Sequence, residues 1–311
     1  THRLSSAASD VYKRQTLAIT ALAPMVWGST YIVTTELLPA NSPLLASMLR
    51  ALPAGIVLVL FSRSIPNGSW WAKLAVLGLL NIGFFFYCLF YAATYLPGGM
   101  AALIMSIQPI LVMGLSVVLL RSTLTFTQII ASGLGIGGIA MLVVNNPGQL
   151  NTSGVFMGLL GTVSMALGVV LTKKWGRASN MSLLSFTGWQ LLFGGLMLLP
   201  VAISTEGLPQ QITLTNVVGY SYLAIVGAML AYSLWFRGIE KLSTVSVSFL
   251  GFLSSVSAVV LGYLILGQTL TWVQLIGALS VLVSILLAAS APTYSATKTS
   301  TSFINSKKEL A

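Results

Sequence analysis

Residues 123–130 read Thr-Leu-Thr-Phe-Thr-Gln-Ile-Ile, and residues 269–276 read Thr-Leu-Thr-Trp-Val-Gln-Leu-Ile. The two segments lie 146 positions apart, and the same offset aligns the apolar stretches around them without a gap. It places Leu96 on Leu242 and Leu120 on Leu266. The sequence therefore predicts an internal duplication in which each copy carries this motif.

The two copies consist of ten apolar stretches, each long enough to cross a bilayer. A bilayer core about 30 Å thick needs about 20 apolar residues in helical form. Segments that alternate apolar and polar residues, as a β-barrel requires, are absent from the sequence, so a helical bundle is the predicted spanning structure. The predicted helices lie near 16–35, 43–62, 71–94, 97–120, 126–144, 154–174, 182–203, 215–236, 243–266 and 272–290.

The composition supports a membrane protein and disfavours the common soluble classes. Of the 311 residues, 56% are hydrophobic and 6% are charged, whereas soluble domains carry about 25% charged residues. The chain has one cysteine, Cys88, and one histidine, His2, so the sequence predicts neither a disulfide framework nor a metal site. The G-x-S-x-G, P-loop and H-E-x-x-H motifs are absent. Gly133, Gly135 and Gly138 fit the dinucleotide pattern G-x-G-x-x-G, but they lie inside a predicted helix with no strand before them, so we expect no cofactor and no enzymatic activity.

The basic residues predict the orientation of the chain in the membrane. Fourteen of the fifteen lysines and arginines lie in the N-terminal segment, the even-numbered loops or the C-terminal segment, which all lie on one side of the predicted bundle. Cytoplasmic loops are enriched in these residues, so both termini are predicted to be cytoplasmic. The net charge of +10 is thereby accounted for without nucleic acid as a partner. We expect a multi-pass protein of the bacterial inner membrane.

The chain divides into two repeats flanked by two tails. The first repeat is predicted at 16–145 and the second at 153–290. The stretch from Ser5 to Gln15 resembles a translated adaptor sequence, so residues 1–15 are predicted to be a non-native or disordered tail. Residues 291–311 are predicted to be a disordered cytoplasmic tail.

Each repeat has five helices, so the second repeat enters the membrane from the opposite side. Such inverted-topology repeats are typical of secondary transporters, whose substrate site lies near the midplane between the halves. Duplication without a transport role is the alternative. The prediction is an all-α polytopic membrane protein with ten helices in a 5+5 inverted repeat.

Several motifs resemble those of the EamA-type family within the drug/metabolite transporter superfamily, over about residues 18–290. The resemblance implies export of amino acids, related metabolites or toxic small molecules. Many members carry a Gly-Glu pair before the Thr-Leu-Thr segment, but this chain has Arg121–Ser122 and Gly267–Gln268 there, so no role of that glutamate is carried over. The motifs are Trp27–Gly28–Ser29–Thr30–Tyr31, Arg50, Leu96–Pro97–Gly98–Gly99–Met100–Ala101–Ala102, Gln108–Pro109, Trp189–Gln190 and the two Thr-Leu-Thr segments.

Arg50 is the one cation predicted inside the membrane, about seven residues or 10 Å into the second helix. A cation at this depth must face the protein interior or water. It could bind an anionic substrate group such as a carboxylate. Equally, it could bind backbone carbonyls, such as that of Leu49, which Pro53 leaves without its helical partner. The sequence favours neither role.

Polar and indole side chains near mid-depth are predicted to point inward, because burial in lipid without a partner is costly. For each one alone, hydrogen bonding between helices is at least as good an explanation, whereas the set favours a shared polar cavity. Three prolines are predicted to kink helices at a gate: Pro24, Pro53 and Pro109. The predicted substrate-binding residues are Trp27, Tyr31, Arg50, Asn81, Ser106, Gln108, Ser164, Trp189, Gln190 and Ser254.

The predicted function is export of small polar or amphipathic metabolites by alternating access around a central cavity, and the resemblance implies that these are amino-acid-like compounds. The five acidic residues all lie in loops, tails or helix ends, so we expect no carboxylate proton relay and a uniport or exchange mechanism. The alternatives are a carrier of nucleotide sugars or phosphorylated metabolites, an intramembrane enzyme, and a non-transporting sensor. The expected partners are a small-molecule substrate, the lipid bilayer and a second copy in a homodimer.

Overall fold

The computed structural model describes residues 2–39, 42–96, 104–143, 151–209, 211–267, 269 and 271–291, and the architecture of these residues is all-α. We number the helices α1 to α10. Helix α1 comprises His2–Gly28 and Thr30–Leu37, α2 spans Pro43–Ser62, α3 comprises Trp70–Gly78, Leu79–Gly83 and Phe84–Tyr95, α4 spans Gln108–Leu120, and α5 spans Phe126–Val143. Helix α6 spans Thr152–Trp175, α7 spans Leu183–Thr205, α8 comprises Leu214–Tyr222, Leu223–Leu230 and Ala231–Lys241, α9 comprises Thr244–Leu250 and Leu253–Leu266, and α10 spans Trp272–Ser290.

Within the described ranges, nine helices are long and apolar enough to cross a membrane. Helix α4 is apolar but shorter, because a turn at residues 106–107 precedes it; residues 97–103, where the sequence predicts the first turns of this helix, lie outside the described residues. The predicted C-terminal tail also lies almost wholly outside them.

Helix α1 differs from the prediction at its start. It begins at His2 and so includes residues 2–15, where the sequence predicts a tail. This segment contains no proline or glycine, and its Ala, Arg and Lys residues favour helix, so the helix can extend toward the N-terminus beyond the apolar span. The amino group of Lys13 donates to the carbonyl of Ala289 at the end of α10, at 3.0 Å.

Helices α3 and α8 each contain a π-helical segment, which the sequence analysis does not predict. The segments are Leu79–Gly83 and Leu223–Leu230. Because α3 and α8 are the third helices of the two halves, the same irregularity occurs at equivalent places, and the offset of 146 puts Asn81 on Gly227. In a π-helix an N–H reaches five residues back, so a carbonyl that would have accepted it is released.

The two Thr-Leu-Thr motifs form the N-terminal caps of α5 and α10. Thr125 N–H donates to the side chain of Gln128 at 3.0 Å, and Gln128 N–H donates to the Thr125 hydroxyl at 3.3 Å. Thr271 and Gln274 repeat this arrangement at 3.0 and 3.3 Å. Each pair is a reciprocal capping box, so the motif that reveals the duplication starts the last helix of each half.

Helices α4 and α9 end in the same way, with a residue in the left-handed region. Arg121 has φ of 53° and Gly267 has φ of 63°, and the two positions are 146 apart. Glycine adopts this conformation at little cost, whereas a side chain such as that of Arg121 is strained in it.

The packing of the helices has an approximate two-fold symmetry. The most extensive contacts join α2 to α7 and α5 to α10. The two-fold relation exchanges each helix of the first half with the equivalent helix of the second, α1 with α6 and so on to α5 with α10, so each of these two pairs maps onto itself. The same exchange maps the packing of α6 on α3 and α4 onto the packing of α1 on α8 and α9. We call α3, α4 and α6 the first bundle, and α1, α8 and α9 the second bundle.

Close contacts at glycines hold the self-symmetric pairs together. A Cβ at Gly55 of α2 would lie 2.3 Å from the backbone nitrogen of Leu192 in α7, and one at Gly138 of α5 would lie 2.7 Å from the carbonyl of Gly277 in α10. Small residues let helix backbones approach in this way. By contrast, Gly114 and other glycines on lipid-facing surfaces have open space at this position.

Candidate functional site

The π segment of α8 exposes the carbonyl of Gly227 to two other helices. The N–H of Ala231 donates to the carbonyls of Val226 and Ala228 and passes over the one between them. The Gly227 carbonyl instead accepts from the indole of Trp27 at 3.0 Å and from Nη2 of Arg50 at 2.8 Å. A backbone irregularity in α8 thus brings together side chains from α1 and α2.

Arg50 is buried in an aromatic environment. It is 6% exposed, and its guanidinium lies 5.2 Å from the centre of the Phe86 ring. Trp27 packs against Tyr232 and Trp235, with ring centres 4.9 and 5.2 Å apart. In the described structure, Nε of Arg50 is buried without a hydrogen-bond partner. A buried donor without an acceptor is costly, so the site has unused capacity for one.

Of the two roles that the sequence left open for Arg50, binding a freed carbonyl is realised, but at a different carbonyl. Its acceptor belongs to Gly227 in the opposite half rather than to Leu49 in its own helix. The cause is the π segment, which frees a carbonyl in α8, and not the proline in α2. Nη2 of the guanidinium forms this bond, and other N–H groups of the planar guanidinium can bind a ligand.

The π segment of α3 has an equivalent arrangement with neutral side chains. The N–H of Phe84 donates to the carbonyl of Leu79, and the hydroxyl of Ser164 in α6 donates to the released carbonyl of Leu80 at 2.9 Å. Beside it, the Asn81 amide donates to Gln190 of α7 at 2.9 Å. These contacts place Asn81, Ser164 and Gln190, one predicted residue from each of α3, α6 and α7, in one buried cluster.

Thr172 and Gly168 of α6 complete this second cluster. The amide of Asn81 also donates to the Thr172 hydroxyl, at 3.1 Å. A Cβ at Gly168 would lie 2.1 Å from Oδ1 of Asn81, so only glycine leaves room for the amide there. In the described structure that oxygen is buried without a partner.

Trp189 and Ser254, two of the remaining predicted residues, form their hydrogen bonds away from these clusters. The indole of Trp189 donates to the carbonyl of Ser64 at 2.9 Å, near the end of α2, and the hydroxyl of Ser254 donates within α9 to Gly251 at 2.8 Å. Ser106 is buried and Gln108 half-buried at the start of α4, where the amide nitrogen of Gln108 is buried without a partner in the described structure. The side chain of Tyr31 lies outside the described residues.

The predicted kink prolines occupy different positions in their helices. Pro24 lies inside α1 and Pro53 inside α2. Pro109 stands in the first turn of α4, after a turn at residues 106–107, so it begins a helix instead of bending a continuous one. Proline is well suited to a first turn because its missing N–H would have no partner there.

A narrow apolar cleft with no room for a water molecule lies between the helices of the first bundle, and none of the predicted site residues lines it. The polar residues instead meet in the two hydrogen-bonded clusters at the π segments. The lining residues are Phe85, Leu89, Ala92, Met105, Gly158, Gly161 and Thr162.

Sequence reasoning missed several members of the two clusters. Gly227 could have been found by carrying the offset of 146 back to α3 and α8, where it falls opposite Asn81. Tyr232 and Trp235 lie near the end of an apolar run that also fits a lipid-facing helix, and no local signal distinguishes them. Thr172 lies near the end of a predicted span, where a polar residue is common.

A two-fold related bundle of apolar helices, with polar clusters at broken helices between the halves, defines a polytopic membrane protein built as a secondary transporter. The EamA-like transporter family model matches residues 15–144 and 152–290. The chain belongs to this family. It is a multi-pass inner-membrane transporter, and its relatives are transporters and not enzymes.

Three comparisons illustrate the similarity. The chain is 49% identical to Protein PecM of Dickeya dadantii (strain 3937) over 276 residues, which cover 89% of this chain and 93% of PecM. It is 27% identical to the "Probable amino-acid metabolite efflux pump" of Salmonella typhimurium, over 84% of this chain and 90% of that protein. A crystal structure of a protein with 16% sequence identity matches at a TM-score of 0.74, over 88% of this chain and 97% of that chain, and shows the same fold.

Proposed function

We propose that the protein exports small polar or amphipathic metabolites, and that its substrates are amino-acid-like compounds with a carboxylate. The observation that carries this proposal is Arg50, the one buried charged side chain among the described residues. Its guanidinium is held by Gly227 and faces aromatic rings, while Nε lacks an acceptor. A substrate carboxylate would supply that acceptor.

The aromatic rings near Arg50 suit the rest of such a substrate. Trp27, Tyr232 and Phe86 offer apolar faces beside the cation. A phosphorylated substrate would need several cations, and Arg50 is alone in the buried set of the described residues. Similarity to a relative named as an amino-acid metabolite efflux pump supports the same substrate class.

The test is uptake into proteoliposomes with labelled amino acids and their amides. Arg50→Gln keeps a hydrogen-bonding side chain but removes the charge, so we expect carboxylate substrates to lose more affinity than amides. The matched control is Arg63→Gln, which removes a charge from the exposed end of the same helix. Equal losses for carboxylates and amides would mean that Arg50 serves only to bind Gly227.

Energy coupling is tested in the same vesicles. We propose uniport or exchange without a carboxylate proton relay, because the acidic residues lie in loops and helix ends. Uptake should then follow the substrate gradient. Accumulation driven by an imposed pH gradient, for a substrate that carries no exchangeable proton, would contradict this part of the proposal.

A further inference from the structure

Lys173, near the end of α6, binds the end of α8 with all three of its donors. Its amino group donates to the carbonyls of Ile239 and Glu240 at 2.9 Å each and to that of Leu242 at 2.8 Å. The last carbonyls of a helix have no partner within it, and the dipole makes this end negative. An ammonium group with three hydrogen bonds is therefore well matched to this position.

Two further contacts join the bundles at the same end of the molecule. Nε of Arg177 lies 2.6 Å from the Glu240 carboxylate, the one ion pair among the described residues, and the guanidinium also donates to the carbonyl of Met181. The hydroxyls of Ser116 in α4 and Thr244 in α9 share a hydrogen bond of 2.9 Å. All three contacts cross from the first bundle to the second.

The end of the molecule with these contacts is the one that the basic loops predict to be cytoplasmic. The segment Thr244–Leu250 of α9 is buried along its whole length there. By the two-fold relation, the counterpart of the α6–α8 contact would join the end of α1 to the end of α3 at the other face. The end of α1, Thr30–Leu37, instead packs on α8 and α9 within its own bundle, and Tyr95 at the end of α3 is 48% exposed.

The contact between the bundles at the predicted cytoplasmic end is therefore not matched by its symmetric counterpart among the described residues. An inverted repeat can form either contact, because the two halves have the same fold. A contact that is present at one end and not at the other is the expected mark of a single state of such a carrier.

We propose that Lys173 and Arg177 form a latch that closes the predicted cytoplasmic entrance by holding the α8–α9 junction. The latch opens when the bundles separate at this end and closes again in each cycle. The inference rests on the proposed transport function, since only a carrier needs to alternate. The closed latch is the state that the structure describes.

The test measures cytoplasmic opening directly, without substrate. Ser116→Cys places a thiol at the contact between the bundles, in a position that is fully buried when the latch is closed. Its reaction with a small maleimide is followed by mass spectrometry in nanodiscs, so native Cys88 is monitored in the same molecule. Cys88 is buried against Gly161 within the first bundle and reports on unfolding.

Lys173→Met removes the three donors and keeps the length of the side chain. We expect modification at position 116 to accelerate at least about tenfold, which corresponds to about 1.4 kcal/mol. Lys174→Met is the matched control, since it removes the same charge from the exposed neighbouring position. In that variant the rate should stay unchanged, and Cys88 should remain unmodified in both.

An unchanged rate at position 116 in Lys173→Met would overturn the proposal. Modification of Cys88 together with position 116 would overturn it too, because Lys173 would then hold the fold and not an entrance. The proposed function fails in a different way. Lys173→Met and Lys174→Met can react with the maleimide as expected while no variant transports any solute tested. In that case the transport proposal fails, and the latch remains as a contact that controls the conformation of the protein.

Discussion

Glu206 joins the end of α7 to the start of α2, and its removal is a sharp test of how the two halves are held together. Its carboxylate accepts from the backbone N–H groups of Leu44 at 2.9 Å and Leu45 at 2.8 Å, one on each oxygen. Pro43, the first residue of α2, has no N–H, and that of Ala46 is bonded to the carbonyl of the residue before Pro43. Glu206 therefore satisfies both remaining donors of the first turn.

The expected loss in the free energy of unfolding follows from the hydrogen bonds that remain at the first turn of α2 in Glu206→Gln. The amide keeps one acceptor oxygen but turns its NH₂ toward the second N–H, so one bond is lost and the other becomes neutral. A hydrogen bond to a charged group contributes about 1.5–3 kcal/mol and a neutral one about 0.5–1.5 kcal/mol. The loss of charge at the positive end of α2 adds about 0.3–1 kcal/mol. Because Glu206 is half-buried and partly solvated, we expect a loss of about 2 kcal/mol in total.

The measurement is the free energy of unfolding in mixed micelles of a mild detergent and SDS. Glu36→Gln is the control, because it makes the same change at the exposed end of α1, where the carboxylate accepts only a 3.3 Å bond from the Thr35 hydroxyl among the contacts seen. That variant should stay within about 0.5 kcal/mol of the unmodified protein. Equal effects of the two substitutions would refute the capping role of Glu206.

Three further substitutions test other parts of the fold by the same unfolding measurement. Arg121→Gly should stabilise the protein by about 0.5–1 kcal/mol, because Arg121 is held at a φ of 53° that glycine tolerates; no gain would mean that the strain is relieved elsewhere. Gly55→Ala should destabilise the protein by about 1–3 kcal/mol, because the new Cβ would lie 2.3 Å from the backbone of α7. Gly114→Ala is the control and should not destabilise the protein, because the space around Gly114 is open. Gln190→Leu should cost about 1–3 kcal/mol by removing an acceptor of the buried Asn81 amide, and a neutral result would show that water replaces that acceptor.

The spans themselves could be predicted because they depend on local features. The second helix is predicted at 43–62 and found at Pro43–Ser62, and the last is predicted at 272–290 and found at Trp272–Ser290. Apolar length and the turn residues at each end are sufficient for this. The π segments are different, because they form where tertiary contacts satisfy the released carbonyls, and neither Leu80 nor Gly227 carries a local signal for that.

The site was harder to predict because depth in the membrane does not give direction around the helix. Asn81 and Gln190 are predicted at mid-depth and are found bonded to each other. Trp189 is adjacent to Gln190 in sequence, yet it points to the end of α2. Which face of a helix meets which neighbour is decided by packing across the two halves, as between Arg50 and Gly227, and no local sequence pattern indicates that packing.

The duplication gives the two halves the same backbone irregularity but not the same chemistry. At the π segment of α8, the released carbonyl is held by a cation and an indole, whereas at that of α3 it is held by the hydroxyl of Ser164. A hydrogen bond from a charged donor is about twice as strong as a neutral one. The two segments therefore resist movement unequally, although the fold relates them. A substrate carboxylate that binds Nε of Arg50, as proposed above, would draw the cation from Gly227 and weaken the stronger contact, and it would leave the neutral one untouched. Binding of an anion would in this way change the relative populations of two conformational states that exact symmetry would make equal. A ligand has this effect only when its affinities for the two states differ.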